Sequence, residues 1–260
     1  MKKFELTSEF VTNIFGTKLF RIRALIEFGD VNAGDVGGYV EKEENLDQDG
    51  DAWVSGDAQV YGDAQVSGDA WVYGDAQVYG DAQVYGNAWV YGDAQVYGNA
   101  QVSGNAQVSG DAQVSGDAQV YGNAQVYGNA QVSGDAWVYG DAQVYGNARV
   151  YGNAQVYGNA RVSGDAQVSG DARVSGDAQV SGDARVSGDA DYATVKGFGR
   201  HNRNTTFFRC KDEKVRVACG CFFGDMEEFR AIVKKTHGDG KLAKEYLSIA
   251  DLMEMHFCEE

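Results

Sequence analysis

Cys219-Gly220-Cys221 sets two thiols on either side of one glycine, with Cys210 upstream and His237 and His256 downstream. Thiolates and imidazoles are the ligands a tetrahedral zinc ion takes. The spacing here is Cys-x-Cys, not the paired Cys-x-x-Cys of zinc sites. In an alternating strand Val215, Val217, Cys219 and Cys221 face one way, so buried apolar cysteines are the expected reading. Asp57, Asp75, Asp93 and Asp111 recur at one constant interval. Stacked, they would form a carboxylate column that calcium could join if carbonyls or waters completed its shell. At ~4.8 Å in water neighbouring carboxylates repel by only about 1 kcal/mol, so the column can stand without metal. No metal is expected. His237, in Thr236-His237-Gly238-Asp239-Gly240, is the remaining candidate for a general base. A histidine at a helix end is more often structural, because the helix dipole favours its cation. The other histidines are His201 and His256, and none of the three lies in the repetitive segment 50–187. No catalytic residue beyond the candidate His237, and no cofactor, is expected.

The elements that would position these residues come from one six-residue word. Residues 50–79 read GDAWVSGDAQVYGDAQVSGDAWVYGDAQVY, and Gly-(Asp/Asn)-Ala-x-Val-(Tyr/Ser) continues to Ser187, 23 times in all. In a strand, Ala and Val on either side of x share a face and x takes the other. Gly followed by Asp or Asn supplies a corner, since Gly accepts positive φ. Each hexad therefore predicts one short strand and one turn around a narrow interior.

Column arithmetic sets the number of walls. Trp53, Trp71 and Trp89 are three hexads apart, as are Asn87, Asn105 and Asn123. Three hexads per coil stack each set on itself, giving an indole column and an amide ladder. Two hexads per coil would instead pile Arg149, Arg161, Arg173 and Arg185 on one another, a destabilising like-charge ladder. Three walls place those arginines on different columns. The expected body is a triangular solenoid of about 7.7 coils, roughly 37 Å long at ~4.8 Å per coil. Its open ends require caps.

Residues 1–49 predict a small β cap. Phe20, Ile22 and Ala24 alternate with Leu19, Arg21 and Arg23, and Val40 and Leu46 keep the hexad interval before a two-residue slip to Val54. Residues 191–260 predict an α+β cap. Its parts are a hairpin around Lys211–Lys214, a helix from an Asp225/Glu228 capping box with Phe229, Ile232 and Val233 as its apolar face, and a second helix from about Lys241.

Formal net charge is −16, and −11 of it falls in residues 50–187, with 15 Asp against 4 Arg. Such a rod stays solvated and repels nucleic acid and anionic membrane, so neither is expected as a partner. A mildly basic segment, Lys196 to Arg216, suits an acidic partner, including the rod itself. Lys2-Lys3 leads into Phe-Glu-Leu-Thr, and no stretch approaches a membrane span, so a reducing cytoplasm with free thiols is expected. Trp53, Trp71 and Trp89 should point outward, with Tyr73 and Tyr91 beside them. An exposed aromatic patch marks an interface, here first of all with a second copy. The other tyrosines read as general surface cover.

The six-residue frame of Val and Ala resembles the hexapeptide-repeat, left-handed β-helix superfamily, and VSGDARVSGDAQVSGDA (Val168–Ala184) looks like its YdcK-type branch. The likeness covers residues 50–190 and implies the left hand of the coil, which periodicity does not. Leu19–Leu46 and Cys219–Leu247 resemble parts of repeat proteins encoded by bacteriophages and prophages, which implies a bacterial cytoplasm and a host protein as a partner. Enzymes of the superfamily are commonly acyltransferases with a histidine base at a subunit boundary, and this chain departs from them in having no histidine on its coils. The expected fold is thus an all-β parallel β-helix with β and α+β caps. The expected function is a non-enzymatic, self-associating interaction scaffold. The alternatives are an acyltransferase-like enzyme using His237, and an acidic mimic of DNA.

Overall fold

The structure is a computed structural model that describes residues 2–199 and 203–258. Arg200 and His201 lie outside the described residues. Three antiparallel strands open the chain: β1 (Phe4–Thr12), β2 (Lys18–Ala24) and β3 (Val36–Val40). Twenty-three short strands come next among the described residues, from β4 (Trp53–Val54) to β26 (Arg185–Val186). Up to β23 each pairs in parallel with the strand three places on, in the next coil, for instance Gln95 with Gln113 and Val96 with Val114. This builds three walls, of which two contain only repeat strands, eight and seven of them. The third is continuous with the N-terminal cap and has eleven strands, in the order β1-β2-β3-β5 and onward to β26.

The interior holds only alanine and valine over the regular coils, every one of them buried. Larger side chains would not fit three walls meeting at so short an interval. The backbone is satisfied coil to coil: from Trp53 to Gln167 the N–H of each x residue donates to an alanine carbonyl of the next coil, as Gln95 N to Ala112 O at 2.9 Å. At the corners glycine sits over glycine. Gly104 has φ +67, and a Cβ there would lie 3.0 Å from both the N and the O of Gly122.

Both ends are closed. At the first coil the Lys3 ammonium is buried and donates to the carbonyls of Ala52 (3.1 Å), Gly50 (3.2 Å) and Asp49 (3.4 Å). Burial pulls its pKa below the ordinary lysine value, against the opposing pull of Asp47, Asp51, Asp49 and Asp69. The buried Asn45 amide donates to Gly62 O and Ala64 O at 3.0 and 2.9 Å. The join resolves as a longer coil: Val40 pairs with Val60 and Leu46 with Val66, an interval wider than the one that separates Val60 from Val78. The two-residue slip lies in the segment from Leu46 to Val54.

At the far end a four-stranded antiparallel sheet forms from β27 (Tyr192–Phe198), β28 (Arg203–Arg209), β29 (Val215–Cys219) and β30 (Phe222–Asp225). Phe208, Cys210 and Ala218 plug the solenoid core. The N–H of Gln179 is accepted by Thr206 Oγ1 (3.0 Å), that of Arg173 by Asp189 Oδ1 (2.9 Å), and Asn204 donates to Asp177 O (2.6 Å). Lys196 pairs with Asp177, so part of the basic segment does meet the chain's own rod. Helices α1 (Met226–His237) and α2 (Lys241–Phe257) cover the sheet's other face through Phe207, Val217, Phe229, Val233, Tyr246 and Ile249. The capping box holds, with Glu228 N donating to Asp225 Oδ1 at 2.8 Å and Asp225 N to Glu228 Oε2 at 3.0 Å. Among the described residues no helix is long and apolar enough to cross a membrane.

Two expectations need correction. Arg149 and Arg185 return to one column, separated by Gln167, while Arg161 and Arg173 occupy the other two walls. The arginines therefore share a column but never stack directly, and Arg185 hydrogen-bonds the intervening Gln167 side chain. Cys221 does not continue β29. That strand ends at Cys219, Gly220 turns the chain with φ +63, and Cys221 is exposed in the turn.

Gly104→Ala should lose about 1–3 kcal/mol in urea denaturation, combining the left-handed backbone cost with the close approach to Gly122. Gly176→Ala, with φ +65 but open space around its Cβ position, should lose less. Equal losses would show that corner stacking contributes nothing.

Candidate functional site

The outward positions form columns along the rod, and their chemistry depends on which residue stacks over which in the next coil. Trp53 registers on Trp71 and Trp71 on Trp89. They are not equally available. Trp53 is buried beneath the N-terminal cap, where Phe28 meets it edge-on at 5.4 Å and any side chain at Gly37 would collide with it. Trp71 is half-buried against the core, and Trp89 is 45% exposed. The expected outward column of three is therefore a graded one, and Trp53 serves the cap instead of the surface. Tyr73 and Tyr91 stack at 4.9 Å with rings 2° from parallel, and Trp89 meets Tyr73 edge-on at 6.2 Å. Trp71, Trp89, Tyr73 and Tyr91 make one continuous aromatic surface.

Most of the remaining repeat tyrosines are not scattered cover, although Tyr85 and Tyr151 stand exposed outside any stack. Tyr61, Tyr79 and Tyr97 form a second stack at 5.0 Å, Tyr121, Tyr139 and Tyr157 a third, and Tyr127 and Tyr145 a fourth. Their spacing of one coil is the same signal that linked the tryptophans. Trp137 lies on a different wall from the other three, edge-on to Tyr121 at 6.4 Å. Stacking shields the phenols. Burial first, and the neighbouring phenol second, raise the pKa of Tyr73, Tyr79, Tyr121, Tyr127 and Tyr139, and push Tyr61 up to about 12.

The corners carry a directional code. Asn87 Nδ2 donates to Asn105 Oδ1 (3.1 Å), Asn105 to Asn123 (3.1 Å), and Asn123 to Asp141 (2.9 Å). Asn129 donates to Asn147 (3.2 Å), which donates to Asp165 (2.9 Å). Asn99, Asn153 and Asn159 each donate to an aspartate one coil on. Every such run ends on a carboxylate, which accepts and cannot donate. The candidate metal column, Asp57, Asp75, Asp93 and Asp111, lies on one corner, and Arg21 reaches Asp57 at 3.5 Å. Among the described residues no three His, Cys, Asp or Glu side chains are grouped to hold a metal ion.

His237, Cys219 and Cys221 do come together, lining an open cavity of about 410 Å³ in the C-terminal cap. The His237 ring lies on Tyr246 at 5.9 Å and 18°. Cys219 Sγ accepts from Thr205 Oγ1 at 3.2 Å. The other walls are mostly apolar, Phe222, Phe229, Ile232, Val233 and Leu242, with Thr236 among them. Cys210 is elsewhere, buried at the end of the solenoid, where desolvation and then Asp183 push its thiol up to about 12. His256 packs edge-on against Phe257 at 4.9 Å.

A family model described as the YdcK beta solenoid repeat matches overlapping segments from 58–74 to 100–116, then 124–140, then segments from 142–156 to 178–190. The chain is a YdcK-type β-solenoid repeat protein. The matched segments, between 58 and 190, lie along the three-walled body. The caps of this YdcK-type protein lie outside that match. A search of curated proteins found no match to the chain.

A phenol held above its unfolded value of about 10 stays protonated after the unfolded chain has ionised. The stabilisation is thus complete below pH ~10 and is lost as pH rises from there through about 12. Ultraviolet phenolate absorbance should titrate later in the native protein than in urea, and coincident curves would refute the stacks. Separately, Asp93→Asn places an amide donor between two carboxylates. It should raise the thermal midpoint in dilute buffer, with a gain that shrinks as salt is added. A salt-independent effect would mean the corner repulsion is negligible.

Proposed function

We propose that this YdcK-type protein is a non-enzymatic interaction scaffold. It associates side by side with a second copy through the surface of Trp71, Trp89, Tyr73 and Tyr91. The observation that carries this reading is the exposed Trp89 indole set against the parallel Tyr73–Tyr91 pair. Aromatic side chains bury large area at little entropic cost, which suits the centre of an interface. The repeated flat walls remain open to a protein partner. The likeness of the flanks to phage and prophage proteins supports a host protein in a bacterial cytoplasm in that role.

The other two readings receive less support. Acyl transfer would use His237 as base in the C-terminal cavity, but no coil histidine joins it and the cavity walls are mostly apolar. Mimicry of DNA would need a regular run of charge. Asparagines interrupt all three corner columns, and the longest aspartate run is Asp57 to Asp111. Coil spacing near ~4.8 Å also differs from the ~3.4 Å per phosphate of a DNA strand.

Light scattering of the wild-type chain should give a mass above that of one 28.0 kDa chain. Trp89→Ser with Tyr91→Ser should lower it, and Trp137→Ser, on another wall, should not. A monomeric wild type, or equal masses for all three, would refute the aromatic interface.

A further inference from the structure

One aromatic arrangement occurs twice on the rod. At Tyr73, Trp89 and Tyr91 an indole stands edge-on to the first of two stacked phenols. At Tyr121, Trp137 and Tyr139 the same arrangement recurs on another wall. The phenols are 4.9 Å apart in the first and 5.0 Å in the second, and the indole lies 6.2 and 6.4 Å from its phenol. Trp89 and Trp137 are the two exposed indoles of the rod, at 45% and 39%. Within each stack the phenol faces meet one another. Among the described residues no ring stacks on the face of either exposed indole.

The two places differ in the charge beside the indole. Along a strand, residues two apart share a side. Asp135 therefore stands with Trp137 on the outer side of its wall, and Asp117 precedes Gln119 in the same way one coil earlier. At the matching position before Trp89 the chain has Asn87, whose amide donates to Asn105 at 3.1 Å. Taken coil by coil, the corner beside Trp137 reads Asp117, Asp135, Asn153, and the one beside Trp89 reads Asp69, Asn87, Asn105. Asp117 and Asp135 are both exposed and lie one coil apart, about 4.8 Å. The rod carboxylates held in ion pairs are Asp57, Asp63 and Asp177. Among the described residues Asp117 and Asp135 are in none. The one cation on the strands of that wall, Arg173, is two coils beyond Trp137.

An open indole beside two unneutralised carboxylates suits a planar cation. A guanidinium lies flat on an aromatic face and turns its edge N–H groups to a carboxylate as a bidentate pair. An ammonium has no plane to lay on the ring, and a quaternary ammonium is recognised by an enclosing aromatic cage, which a single wall does not build. We propose that Trp137, with Tyr121 and the carboxylates of Asp135 and Asp117, takes an arginine side chain from a basic segment of a partner protein. This gives a chemistry to the partner of the open walls and rests on that part of the preceding reading alone, since the lateral dimer uses another wall. The acidic rod draws such a segment in, and the indole selects arginine from it.

Fluorescence anisotropy with the full chain in dilute buffer tests this, using as probe a labelled seven-residue peptide of alternating glycine and arginine. The lysine version of the peptide should bind about threefold more weakly, and the version with citrulline, the neutral isostere of arginine, should not bind. Trp137→Ser should weaken the arginine probe about tenfold and Asp135→Asn about threefold. Both side chains are exposed, and circular dichroism verifies that each variant is folded. Asp75→Asn, which removes the same charge from another corner, and Trp89→Ser should each leave binding within about twofold. A lysine peptide that binds as well as the arginine one, or an Asp75→Asn chain that loses as much as Asp135→Asn, would mean that bulk charge alone attracts the probe, and would overturn the proposal. So would equal binding by Trp137→Ser and the wild type, or equal losses from Trp137→Ser and Trp89→Ser. A wild type that binds the probe as expected yet scatters as a monomer would refute the aromatic dimer and leave the arginine site supported.

Discussion

Closure of the backbone after three hexads is the constraint on which the molecule depends. It lays each position of the hexad over the same position of the next coil, so that N–H meets C=O, glycine meets glycine and asparagine meets an acceptor along the rod. The interior then has no freedom of size. Three alanines and three valines per coil fill it, and no regular coil contains a larger inward residue. Packing is repeated, not varied, and order in the sequence becomes straightness in space.

Stacking leaves two chemically unlike ends, and the caps answer each in kind. The first coil presents carbonyls, and donors meet them: the Lys3 ammonium, the Asn45 amide, and the backbone N–H groups of Tyr39, Glu41 and Asp47. The last coil presents N–H groups, and Asp189 and Thr206 oxygens accept from them. A buried lysine is costly unless it is hydrogen-bonded. Here its three protons face three carbonyls that would otherwise be orphaned. The same logic explains Trp53. The first indole of its column has no coil above it, and the cap covers the edge with Phe28.

The repeat region was legible in the sequence because one interval controls everything in it. The three-hexad register, the inward Ala and Val, and the amide ladder of Asn87, Asn105 and Asn123 all come from periodicity. The capping box at Asp225 was legible from local chemistry. What periodicity could not give was exposure at the ends. Trp53 obeys the repeat and is still buried, because a non-repeating segment folds over it. Cys221 left its strand because Gly220 made a turn there, a backbone choice that strand alternation does not encode. The cavity that unites His237, Cys219 and Cys221 joins a helix end to a sheet edge, a tertiary contact without a sequence interval. The tyrosine stacks follow from the same interval of one coil.

Because the caps touch only the outermost coils, the distance between the two ends is set by a whole number of identical layers. Adding or removing three hexads would change that span by about 4.8 Å and leave both termini facing as before. A single hexad would instead turn one end against the other by a third of a revolution. The chain is in that sense a gauge with discrete graduations, whose length and angular setting are written by copy number alone.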